Sequence, residues 1–402
     1  MVVFSMNTRF EFKKPDFENF KNRNFGGKGK KALKVSLIAF LIMLVISVGI
    51  SAIRTFSLGG MVRVNVFSVL LALHLVDMKI RGMMLFSATT VNIGVVIVLL
   101  LPIIAISISN FIVYRRKFEN MGDCIYESIK IAFIYGMILA IVSLFSKIRI
   151  NMGMDSMFGF GMNNSTIIGY KMISSFANGF IISFLTSIVL NWKKEFRGES
   201  YLTDVISDGF KVFLKVVAIV LVITSVVTFT KNYSLSDFGL SDYSKGMSVI
   251  AYIVQITSYL LAIASGGAVN IGNNSDSLSV FSIFNSSVFT DTRLLIAILF
   301  SSFALIMIFE GANIYKNYRF ENKKTVIHFS VVYAFLVGLV AKFSSIALST
   351  SSSQIMPSLE IIIRVNPLSL FVIVFALSVL FLEVGYIITP NVDNLFSKYD
   401  NN

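Results

Sequence analysis

Ionisable and amide side chains standing inside long apolar runs are the residues of this sequence best placed to do chemistry. Glu310 and Asn313 occur in the stretch FEGAN, Glu383 in FLEVGY and Asn110 in SISNF. Lys215, Asn178 and Asn191 fall in further apolar stretches. A carboxylate held among apolar side chains can serve as a proton or cation ligand. An ionisable group in lipid is costly enough that it usually faces a bundle interior or a cavity. Glu310, Glu383, Asn110, Asn313 and Lys215 are therefore the candidates for a substrate or ion path. The competing reading makes them helix-end groups that reach the interface, or hydrogen-bonding links between packed helices.

Other chemistry is poorly represented. The sequence has no Walker A loop, no His-Glu-x-x-His and no Gly-x-Ser-x-Gly. Its two histidines, His74 and His328, are distant from one another, and the single cysteine, Cys124, cannot form an intramolecular disulfide. No enzyme, metal centre or cofactor is expected.

The elements that must position these residues follow from composition. Of 402 residues, 55% are hydrophobic and 14% charged, and the mean hydropathy is +0.78. Apolar runs near 33–53, 89–113, 129–147, 167–191, 210–230, 294–314, 326–347 and 368–389 each approach or exceed the roughly 20 residues a helix needs to cross the hydrocarbon core. Lipid cannot satisfy free backbone groups, so helices are the expected spanning element. The first run is too long for a signal-peptide core and reads as an uncleaved span.

A net charge of +13 in such a chain is a matter of sidedness rather than of nucleic-acid binding. With alternating spans and the N-terminus inside, most Lys and Arg fall in inner segments, which places both termini in the cytoplasm. YRRKFEN (114–120) and NYRFENKK (317–324) then occupy equivalent inner turns. Arg115, Arg116, Lys117, Glu119, Arg319 and Glu321 form either interfacial anchors or a docking surface for a cytoplasmic partner.

The recurrence of these turns, and the matching order of spans and outer segments, predicts duplication. VNIG also occurs twice, at 91–94 and 269–272, but at a different offset. The expected fold class is an all-α polytopic membrane protein with about eight transmembrane helices, built as two parallel four-helix repeats. The divisions are a basic tail (1–32), a first repeat (33–200), a second repeat (201–390) and a C-terminal tail (391–402). Two further apolar segments, 64–80 and 247–265, are expected to be re-entrant or interfacial helices on the outer side. A ninth span through 247–265 would move the later basic turn outward, against the charge rule. On the first of these helices, His74, Asp77 and Arg81 would share a polar face by their spacing. Outer stretches rich in Gly, Asn and Ser read as turns.

Together these features point to a multi-pass cell-membrane protein, with residue usage resembling that of bacteria with AT-rich genomes. The favoured function is a permease, either a carrier or the membrane subunit of an exporter whose ATPase is a separate chain. A non-transporting assembly factor, sensor or regulator is the alternative. The expected partners are the lipid bilayer and such an ATPase or another membrane subunit. For a carrier, the expectation is that Glu310 and Glu383 face a central cavity shared by the two halves.

Overall fold

A computed structural model describes residues 28–57, 65–81, 89–93, 95–114, 118, 121–151, 165–192, 201–231, 245–271, 277–284, 290–317, 322–350 and 360–399. The first half runs α1 (Lys28–Ser57), α2 (Val66–Leu73), β1 (Met78–Arg81), β2 (Thr89–Ile93), a 3-10 helix (Val96–Leu99), α3 (Leu100–Val113), α4 (Met121–Phe145), β3 (Ile148–Asn151), β4 (Ser165–Tyr170) and α5 (Met172–Asn191). The second half repeats that order: α6 (Tyr201–Lys231), α7 (Lys245–Ala264), β5 (Ala268–Ile271), β6 (Ser277–Ser279), a 3-10 helix (Val280–Phe284), α8 (Thr290–Asn317), α9 (Asn322–Ser344), β7 (Ile346–Thr350), β8 (Glu360–Arg364) and α10 (Pro367–Tyr399).

Among the described residues, eight segments are long and apolar enough to cross a membrane: Gly29–Ile53, Val96–Val113, Met121–Phe145, Met172–Asn191, Tyr201–Thr230, Thr292–Lys316, Lys324–Ser344 and Pro367–Pro390. The helical, eight-span architecture expected from the sequence is present, and the chain is a multi-pass membrane protein. To it the structure adds eight short strands in one antiparallel sheet, ordered β3-β4-β1-β2-β7-β8-β5-β6. Every strand lies on a connection at the same end of the bundle. The expected spans 89–113 and 167–191 begin too early for this reason, because residues 89–93 and 165–170 are β2 and β4.

The two additional apolar segments also differ from expectation. Residues 64–80 do not form one helix: α2 ends at Leu73, the chain turns through Leu75 at φ 52°, and β1 follows. His74, Asp77 and Arg81 therefore do not share a helix face. They sit at the α2 C-cap, in the turn and at the end of β1. Residues 245–264 do form a helix, α7, whose chain turns at Gly266 (φ 94°) into β5. The start of α6 packs beside the start of α9, since Val205 and Val212 meet Thr325 and Phe329 around one cavity. The two helices are parallel, so α6 ends at the sheet end, where α7 also ends.

The registers of the two halves coincide. Met78 opposes Val91 and Lys79 opposes Thr90, while Val269 opposes Leu278 and Asn270 opposes Ser277. Ile80 pairs with Ile168 as Ile271 pairs with Ile363. Ile168 pairs in turn with Ile148, as Ile363 does with Ile346. Helix packing follows the same correspondence: α4 on α5 as α9 on α10, and α1 on α4 as α6 on α9.

Each half buries most of its own core, with Phe343 of α9 joining the first-half cluster. One cluster is centred on Tyr135, Leu139, Ile106 and Leu70, and the other on Phe303, Tyr333, Phe329 and Met307. The halves meet along one side. There β2 pairs with β7 from Thr89↔Thr350 to Ile93↔Ile346. On α7, Gln255 accepts a hydrogen bond from the Val96 N–H (3.2 Å) and donates to the Ser344 carbonyl (2.9 Å).

Candidate functional site

The inner end of the second half holds the clearest polar site. Glu310 and Asn313 are placed by the last turns of α8. Asp208, Lys211 and Lys215 are placed by the early turns of α6, and Thr325 and Phe329 by the start of α9. All of these positions lie at the end of the bundle away from the sheet. They line a cavity of about 260 Å³. Lys215 donates to one Glu310 carboxylate oxygen, and the Asn313 side-chain amide donates to the other at 3.1 Å. Lys211 pairs with Asp208 at 2.8 Å. At the cavity's margin the Tyr201 hydroxyl donates to Thr325 Oγ1 (2.9 Å) and lies 3.2 Å from His328 Nδ1.

The Lys215–Glu310 pair is asymmetric. The glutamate side chain is 12% exposed and the lysine side chain 56%. A carboxylate fixed on one side by an amide and on the other by a largely exposed ammonium is a site where an incoming proton or cation competes with a tethered lysine.

The other expected residues fall elsewhere. Glu383 is exposed on α10, on a face it shares with the exposed Leu380, Val384 and Ile387, and does not line the cavity. Among the described residues, those lining this cavity belong to the second half alone. Gly311 does not break α8, which is continuous from Thr290 to Asn317. Asn110 is buried on α3, where its amide donates to Ser187 Oγ and the Ile106 carbonyl, both at 3.1 Å. Asn191 donates to the Ser187 carbonyl at 2.8 Å, so this group links α3 to α5. Arg115, Arg116, Lys117, Glu119, Arg319 and Glu321 lie outside the described residues.

Two groups escaped the sequence reading. Glu127 on α4 is 2% exposed and accepts from Lys130 Nζ and the Tyr114 hydroxyl, each at 2.9 Å. Its signal was present, a carboxylate six residues into an apolar helix, but the expected span began two residues after it. The second group is a pair of buried tyrosines. His74 Nε2 lies 2.9 Å from the Tyr135 hydroxyl, and at the corresponding place Ser265 Oγ lies 3.1 Å from the Tyr333 hydroxyl. Likewise Ser68 Oγ donates to the Ser146 carbonyl and the Tyr259 hydroxyl to the Ser344 carbonyl. The roles persist in both halves although the residues differ.

His74 is fully buried, with Nδ1 2.7 Å from the Leu70 carbonyl. Burial pulls its pKa down to about 4 from the ordinary 6.5. The imidazole is thus neutral in the folded protein near pH 7 and supplies no charge there. In the unfolded chain it binds a proton below about 6.5. Stability is therefore complete above that pH and falls as pH drops toward 4. The loss approaches about 3 kcal/mol at 1.36 kcal/mol per pKa unit. Thermal midpoints in detergent should fall between pH 6.5 and 4, and His74→Gln should flatten the curve. Parallel curves for the two proteins would assign the acid sensitivity to other groups.

Comparison of the chain with protein-family models, with curated proteins and with solved structures finds no match in any of the three.

Proposed function

We propose that the chain is a duplicated, permease-like protein of the cell membrane. Residues 33–200 and 201–390 are its two parallel repeats, and both termini lie in the cytoplasm. It acts either as a carrier or as the membrane subunit of an exporter powered by a separate ATPase. The observation that carries this reading is the Lys215–Glu310–Asn313 cluster in its cavity. A charged pair is a costlier way to pack helices than small residues and amides, so packing alone does not account for it. Lys215 holds the carboxylate until a proton, a cation or a cationic part of the substrate displaces it. On this reading the displacement is the coupling event.

Glu310→Gln keeps the shape and the Asn313 contact but removes the charge. The expected result in reconstituted vesicles is at least a tenfold loss of proton- or cation-dependent flux, with the thermal midpoint nearly unchanged. Unchanged flux would overturn the reading. Orientation is checked by single cysteines at positions 120 and 322 in a Cys124→Ser background, which should both resist an impermeant thiol reagent in intact cells. Labelling at both positions would reverse the orientation.

A non-transporting role, as an assembly factor, sensor or regulator, has one observation in its favour: the cavity belongs to a single half. In that case Glu310→Gln is silent in flux and acts only on association with a partner.

A further inference from the structure

The joint between the halves is one-sided. β2 of the first half pairs with β7 of the second, while their counterparts, β6 and β3, end the sheet at opposite margins. Among the described residues neither β6 nor β3 has a second partner strand. A joint that uses different faces of two like units leaves the complementary pair of faces unused, and such heterologous contacts continue from one molecule to the next. From this, we propose that β6 of one chain pairs with β3 of a second copy of this chain, reproducing the β2–β7 joint between molecules.

The strand correspondences fix the register. Val91 corresponds to Leu278, because each opposes the matching residue of its neighbouring strand, and Leu348 corresponds to Ile150 by the same rule. Since Val91 opposes Leu348, Leu278 opposes Ile150, Ser277 opposes Asn151 and Ser279 opposes Arg149. Chemistry agrees with this pairing. β6 carries no charge or proline and β3 carries Arg149 alone. Neither edge carries a proline, and although β6 has three residues and β3 four, short edges of this kind limit strand addition less when the partner register is already set by the fold.

An independent observation lies just past each strand. At the existing joint, the 3-10 helix after β2 packs on α7, leaving Val96, Ile97 and Val98 half-buried and Leu99 buried. In the 3-10 helix after β6, Phe281 is 77% exposed and Phe284 84%. At the free edge the corresponding helix keeps Ser282 buried and Val280 and Ile283 half-buried but presents two exposed aromatic rings where a second copy would sit.

The inference rests on the duplication proposed above and is independent of transport. Its test uses full-length protein with Cys124→Ser. Chains carrying Ile150→Cys and Leu278→Cys, differently tagged, are co-expressed and mildly oxidised in membranes. Directly opposed antiparallel residues have Cα atoms about 4.5–5.5 Å apart, within disulfide reach. The expected result is a chain-to-chain cross-link between the two tags. Val91→Cys with Leu348→Cys in one chain should close internally and confirms a formed sheet. The proposal is overturned if that control closes while the two tags do not link, or if both new cysteines in one chain close only within it. Strictly monomeric particles in nanodiscs also overturn it, whatever the cross-linking shows. Loss of the cross-link with flux intact separates its failure from that of the transport reading.

Discussion

Gly311→Leu or Gly385→Leu should eliminate the folded protein, and Gly→Ala at either position should lower its stability by about 1–3 kcal/mol, the range for overpacking a tight contact. The two glycines form the crossing of α8 and α10. A Cβ at Gly311 would stand 2.1 Å from the Leu382 carbonyl oxygen, and one at Gly385 would stand 1.9 Å from the Ile308 carbonyl oxygen. Both obstacles are backbone, so no rotamer change relieves them and the helices must move apart. Small residues allow this close approach, as at other membrane helix crossings. Separation would also disturb the Tyr315–Tyr386 and Phe303–Phe381 ring contacts, whose centroids lie 5.1 and 5.9 Å apart. The internal control is Gly49 on α1, where an added Cβ meets nothing within 4 Å. There Gly→Ala should be neutral or raise stability by about 0.5–1 kcal/mol, from helix propensity alone. Thermal midpoints in mild detergent decide the matter. If the Gly311→Ala and Gly385→Ala proteins melt with the parent, the crossing is looser than this geometry requires.

The spans were legible because lipid imposes length and composition on them, and the charge asymmetry needs only a count along the chain. The sheet was not legible. Its strands are three to six residues long, several lie in stretches rich in Ser, Asn and Thr that read as turns, and β2 finds its partner β7 about 250 residues later. The periodicity of one strand says nothing about a partner so distant. The common order of elements was visible, and the different offset of the two VNIG stretches already argued against pairing them. VNIG falls on β2 and β5, which are not counterparts. Positions that occupy the same place in the two halves differ in identity, as His74 and Ser265 do while each faces a buried tyrosine. Glu310 stood out because a carboxylate in an apolar run is rare. Its pairing with Lys215, 95 residues away, needed the fold.

Glu127→Leu should destabilise the protein far more than Glu310→Leu does, although both remove one carboxylate near the same end of the bundle. The two acids differ in their surroundings. Glu127 is buried, and it pairs with Lys130, whose side chain is 15% exposed and whose ammonium also lies 3.9 Å from the centre of the Tyr126 ring. Removing the acid leaves a largely buried lysine without its counter-charge and Tyr114 without its acceptor, a loss of about 3–5 kcal/mol for a broken buried pair. Lys215 is more than half exposed, so after loss of Glu310 its ammonium can turn to water, and the remaining cost is small. The position of Glu127 also corresponds to Thr325 in the second half, since Tyr135 corresponds to Tyr333. In the first half the polar network is closed and holds helices together, while in the second half the carboxylate stands on α8 and faces a cavity. The pairing argument makes a further demand. Replacing a buried ion pair by apolar residues is often neutral, so Glu127→Leu with Lys130→Met should recover much of what Glu127→Leu loses. Thermal midpoints of the parent, both single variants and the double variant complete the cycle. Recovery in the double variant identifies the stranded lysine as the cause, whereas a double variant as unstable as Glu127→Leu alone would shift the cause to Tyr114 and the lost packing of the acid itself.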